Sequence, residues 1–70
     1  MLKKEFAKKY DGAIRSVAIA NKVDMGVGRD MLIYEAKVAA GDIERVDTYS
    51  GVPEGTDLKE VFADYKSITN

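Results

Sequence analysis

A chain of 70 residues with neither cysteine nor histidine has only side-chain packing to hold a fold together. No disulfide and no thiolate metal site can staple it, and the commonest metal ligand is missing. A domain this small buries barely enough apolar surface to fold alone, so self-association is a natural way to bury more. The 46% hydrophobic content nevertheless sets the chain apart from disordered sequences, which are poorer in apolar residues. With no internal repeat and no low-complexity stretch, residues 1–70 read as a single domain.

Hydrophobic periodicity predicts which elements do the packing. Leu2, Phe6 and Tyr10 recur every four residues with lysines between them, an amphipathic helix closed by the turn pair Asp11-Gly12. From Ala13 to Asp24 the helical template fails, because Ile19 and Val23 fall opposite Ile14 and Ala18 on a wheel. As a strand, the same stretch places Val17, Ile19 and Val23 on one face and Ile14, Ser16, Ala18 and Ala20 on the other. Asp24 to Asp30, with Gly26 and Gly28, reads as a loop.

Met31 to Ala40 alternates, with Leu32, Tyr34, Ala36 and Val38 on one side and Glu35 and Lys37 on the other. A turn at Ala40-Gly41 and a return over Ile43 to Tyr49 complete a hairpin, with a bulge bringing Ile43 and Val46 inward. Ser50 to Thr56 is a loop. Asp57 and Glu60 then form a capping-box-like start to a helix from Leu58 to about Lys66, with Leu58, Val61, Phe62 and Tyr65 as its apolar stripe. The expected fold class is α+β: a short N-terminal helix, a three-stranded antiparallel meander, and a C-terminal helix packed on the sheet.

Charge is sorted along this chain. Residues 1–29 hold seven cations (Lys3, Lys4, Lys8, Lys9, Arg15, Lys22, Arg29) against three anions (Glu5, Asp11, Asp24), a net of +4. Residues 30–70 hold four cations (Lys37, Arg45, Lys59, Lys66) against nine anions (Asp30, Glu35, Asp42, Glu44, Asp47, Glu54, Asp57, Glu60, Asp64), a net of −5. A total of −1 hides a bipolar molecule, whose field can steer a charged partner.

Catalysis is not expected. Without His or Cys the acid–base groups are carboxylates, lysines and tyrosines, and no pair has a spacing that specifies a dyad. The loop Asp24-Met25-Gly26-Val27-Gly28-Arg29-Asp30 lacks the third glycine of a dinucleotide fingerprint and the Gly-Lys-Ser/Thr ending of a P-loop. It also lacks the acidic ladder of a calcium-binding loop. No cofactor and no metal are therefore expected. No apolar run approaches the roughly 20 residues of a membrane helix. No signal-peptide core follows Met1-Leu2-Lys3-Lys4-Glu5, so a cytoplasmic location is expected and a membrane partner is not.

Two binding readings remain. The first is contact with another protein through the acidic return strand and sheet edge, with Asp42, Glu44, Asp47 and Tyr49 as the contact set. A homodimer, basic helix against acidic hairpin, belongs to the same class. The second is nucleic-acid binding through Lys3, Lys4, Lys8, Lys9 and Arg15, whose affinity would fall steeply with salt. Phe6 and Tyr10 lie on the core stripe of that helix, where they are not stacking platforms.

The order helix, three strands, helix is similar to the double-stranded-RNA-binding domain. That family carries a lysine cluster at the start of its last helix, where this chain has Asp57, Leu58, Lys59 and Glu60. Gly12-Ala13-Ile14-Arg15-Ser16-Val17-Ala18 and Gly26-Val27-Gly28-Arg29-Asp30-Met31-Leu32 look like pieces of a helix-turn-helix. The spacing between Ala18 and Gly26 is about one helical turn longer than that motif has. Membership of neither family follows, and the expectation is a non-catalytic binding or regulatory protein.

Overall fold

A computed structural model of the chain describes residues 1–69. Among them the backbone forms four helices: α1 (Lys3–Lys9), α2 (Asp11–Asn21), α3 (Met25–Ala39) and α4 (Leu58–Lys66). The only extended pairing among the described residues is a single parallel bridge between Leu2 and Thr69. The expected three-stranded meander is absent, and the fold is all-α rather than α+β. α1 and α4 lie where the sequence places them, but the expected turn pair Asp11-Gly12 is the first turn of α2, and the break after α1 falls at Tyr10. The three strands become α2, α3 and an irregular loop.

The first strand fails because Ile19 is simply exposed. It is 72% accessible on the outer face of α2, while Ile14, Val17 and Ala18 face the core. A folded surface carries many apolar side chains, so a solvent-facing isoleucine does not argue against a helix. α2 ends with Lys22 in the left-handed conformation, its N–H bonded to the Ile19 carbonyl and that of Val23 to the Ala18 carbonyl. This is the Schellman arrangement, with a lysine where glycine is usual.

The second strand fails because Glu35 is buried. α3 turns Gly28, Leu32, Ile33, Glu35 and Ala36 inward, a helical set that includes one carboxylate. Treating Glu35 as an outward residue makes the same stretch alternate. The Asp24 side chain accepts the Val27 N–H at 2.9 Å and so starts α3 within the expected glycine loop. The reversal at Ala40-Gly41 is present, but it stops a helix and does not join two strands. Gly41 has φ 78°, and Asp42 N–H reaches the Lys37 carbonyl at 2.9 Å.

Phe6, Ile14, Val17, Leu32, Ile33, Ala36 and Val61 form the core, with Val52, Leu58, Phe62, Tyr65 and Ile68 packed against it. α3 is the central element, touching α2 on one side and α4 on the other. Gly28 lets α2 and α3 approach closely over Ala18. Asp57 caps α4 by accepting the Glu60 N–H at 3.1 Å, as its sequence signature predicts. No helix among the described residues is long and apolar enough to cross a membrane.

Candidate docking surface

The 18 residues between α3 and α4 carry most of the acidic set singled out in the sequence, and they are not free to wander. Their backbone polar groups have no ladder to satisfy them, so side chains of α3 and α2 take that role. The Tyr34 hydroxyl accepts the N–H groups of both Val46 (2.6 Å) and Asp47 (3.0 Å). Glu35, only 7% exposed, accepts from both guanidinium nitrogens of Arg45 at 2.7 and 2.9 Å and from the Tyr49 N–H at 3.2 Å. Arg45 closes the turn by donating to the Asp47 carbonyl at 2.8 Å. The two rings of Tyr34 and Tyr49 meet edge to face, 5.3 Å apart.

Further along, Ser16 donates to the Gly51 carbonyl at 2.6 Å, and the Asn21 amide donates to the Ser50 carbonyl at 2.9 Å. The bidentate guanidinium holds the Glu35 carboxyl below its ordinary range, with partial burial opposing it and the Tyr49 N–H adding to the effect. The Arg45 guanidinium is shifted upward by the same pair.

This pinned turn presents Val46 outward. The side chain is 91% exposed, the most exposed of the large apolar residues described, and Ile43 beside it is 37% exposed. The inward bulge expected to bury Ile43 and Val46 does not form. Asp42, Glu44 and Asp47 surround Val46 in sequence and are themselves exposed. Tyr49, expected in the contact set, is half-buried, with its ring edge to face with Tyr34. Asp42, Glu44 and Asp47 thus remain surface groups, on a loop rather than a hairpin edge. Val46 is the residue that sequence reasoning missed. Its only local signal was a valine between Arg45 and Asp47 in an otherwise polar stretch.

The five basic candidates are split by the fold. Lys9 donates to Asp64 at 2.7 Å and lies 3.4 Å from Glu60, and Tyr10 donates its hydroxyl to the same Asp64 oxygen. That cluster raises the Lys9 ammonium, chiefly through the Asp64 hydrogen bond, and lowers Asp64. Desolvation first, and then Asp64, pushes the Tyr10 phenol upward. Arg15 pairs with Asp11 along α2 at 3.2 Å. Lys3, Lys4 and Lys8 make no ion pair among the described residues and mark the basic face of the molecule.

Lys3 also borders a groove of about 160 Å³ between α1, α3 and the end of α4. Phe6, Ile33, Tyr65 and Ile68 line it, and Arg29 and Asp30 stand at its wall, 3.4 Å from each other. A second cleft of about 140 Å³ between Ile14, Met25 and Gly26 shares Arg29. Among the described residues no group of three or more carboxylate, histidine or cysteine side chains is placed to hold a metal ion.

The pieces that look like a helix-turn-helix fall in α2 and α3, and the second is helical. The face that α3 turns away from the core carries Val27, Asp30 and Tyr34, and the Tyr34 hydroxyl is occupied by the loop. Those three residues include no cation, the acid is paired with Arg29 and the tyrosine is already engaged by the loop, which makes the face a poor reader of a phosphate-lined groove. The similarity to the double-stranded-RNA-binding domain loses its basis with the sheet. Comparison with protein-family models, with characterised proteins and with solved structures gives no match for this chain.

Proposed function

We propose that this is a non-catalytic cytoplasmic docking protein whose contact surface is the acidic loop around Val46. The observation that carries the reading is an almost fully exposed valine on a turn whose own backbone is tied to Tyr34 and Glu35. A loop already held in one conformation loses little entropy when a partner closes over it. An apolar centre within a charged rim is the usual anatomy of a contact patch. Asp42, Glu44 and Asp47 supply that rim and favour a basic partner surface. Tyr49, Tyr34, Glu35 and Arg45 act as scaffold beneath it.

Capture from host lysate with and without nuclease tests the reading, using the native chain, Val46→Lys, and a Lys3, Lys4, Lys8→Glu triple variant. A stoichiometric protein that survives nuclease and is lost with Val46→Lys supports it. Retention that depends on nucleic acid and on the three lysines would replace it with a phosphate-binding function.

A further inference from the structure

The loop needs a basic surface with an apolar recess, and the chain carries one itself. We infer that the partner of the loop is a second copy of this protein, Val46 of one copy entering the Lys3–Arg29 groove of the next. This rests on the docking reading above and commits it to one occupant. The groove floor is apolar, formed by Phe6, Ile33, Tyr65 and Ile68, and its volume of about 160 Å³ is ample for an isopropyl group. Its borders carry Lys3 and Arg29, and Lys4 and Lys8 extend the positive field over α1. Asp30 is the one acid at the wall, and it is paired with Arg29. The incoming loop brings Asp42, Glu44 and Asp47 around its valine, so sign and polarity match at both centre and rim.

A copy does not fill its own groove: Val46 is 91% exposed and is not among the residues that line it. Knob and hole are separate surfaces of one chain. Such a contact joins two different surfaces, so it either closes reciprocally between two copies or propagates from copy to copy into a larger ring or an open chain. The bipolar charge of the sequence then serves as the head and the tail of one repeating contact.

The test is sedimentation velocity on the full chain across about a hundredfold range of concentration, at low and at high salt. The expected result is a mass that rises with concentration and falls with salt. Val46→Lys, Arg29→Glu and Lys3→Glu should each weaken association by about tenfold or more. These side chains are exposed, and circular dichroism verifies that each variant keeps its helices. Mixing Val46→Lys with Arg29→Glu should restore a complex that stops at two chains, because one retains a working groove and the other a working loop. Lys3→Glu replaces Arg29→Glu in the mixture if the latter loses helicity.

A native chain that stays monomeric throughout, or variants that associate as the native chain does, would overturn the inference. So would a mixture that stays monomeric. A monomeric native chain whose lysate capture still depends on Val46 removes self-association and leaves the loop reading in place. Capture and self-association both indifferent to Val46 remove the loop reading itself.

Discussion

Gly28 lies against Ala18 so closely that a β-carbon added to it would stand 2.7 Å from the alanine methyl and 3.0 Å from the Ile14 carbonyl oxygen. This contact sets the distance between α2 and α3, and through α3 it sets the position of both the loop and the groove. Gly28→Ala should force the helices apart and cost about 1–2 kcal/mol, overpacking outweighing the gain in helix propensity. Gly12, also helical, has open space around it, and a β-carbon added there would meet nothing within 4 Å. Gly12→Ala should therefore stabilise by about 0.5 kcal/mol. Urea denaturation of the two variants, which differ only in where the methyl is added, measures the contrast.

Glu35 is the anchor of the loop, and its removal separates loop order from fold stability. Glu35→Ala deletes the acceptor for Arg45 and for the Tyr49 N–H and should cost about 1–2 kcal/mol. Hydrogen exchange should accelerate at residues 45–49 well before it changes at Leu32 or Val61. Equal loss of protection in loop and core would show that the loop is not a separately anchored unit.

Acid should loosen the same anchor. The Glu35 carboxyl titrates below its ordinary value of 4.5 in the fold, so the folded state holds its charge to lower pH than the unfolded chain does. Its contribution is fully present above about pH 4.5 and is lost as pH falls through the depressed folded value. Asp64, lowered by Lys9 and Tyr10, acts with the same sign from its ordinary 3.8 downward. Stability measured by denaturant midpoint should therefore decline below about pH 4.5, and Glu35→Gln should flatten the first part of that decline.

At high pH the Tyr10 phenol gives a spectroscopic handle. It is one of four tyrosines, and its ionisation is pushed above the ordinary 10.0 by desolvation and by Asp64. A raised folded value means that this group's contribution is intact below about pH 10 and is lost as pH rises toward the folded value. An ultraviolet titration of the folded protein should show one phenol ionising late, and Tyr10→Phe should remove that phase. A single ionisation step shared by all four tyrosines would count against the Asp64 cluster.

The end of α2 supplies a backbone test. Lys22 occupies a left-handed position at φ 57°, where the corresponding stop of α3 has Gly41. Relief of that conformation by Lys22→Gly should raise stability by about 1 kcal/mol, read as a higher denaturation midpoint.

Local signals in the sequence located the ends of the molecule well. The four-residue spacing of Leu2, Phe6 and Tyr10 and the Asp57–Glu60 start identify α1 and α4 because capping and amphipathic periodicity act within one or two helical turns. Gly41 was equally legible as a reversal, although not as the stop of a helix. The acidic patch at Asp42, Glu44 and Asp47 was visible as surface, and so was the lysine face.

Composition, charge sorting, the lack of covalent staples and the two terminal helices all follow from the order of residues alone. The middle of the chain was settled by tertiary contacts. Glu35 and Arg45 lie ten residues apart, and only their pairing lets a carboxylate sit on the inner face of α3. Ile19 can remain in water because Ile14, Val17 and Ala18 already fill the core. Val46 became a projecting knob when Tyr34, twelve residues earlier, took up its backbone N–H. Periodicity assigns each side chain to a face by its neighbours in sequence, whereas burial is settled by partners that only the folded chain brings together.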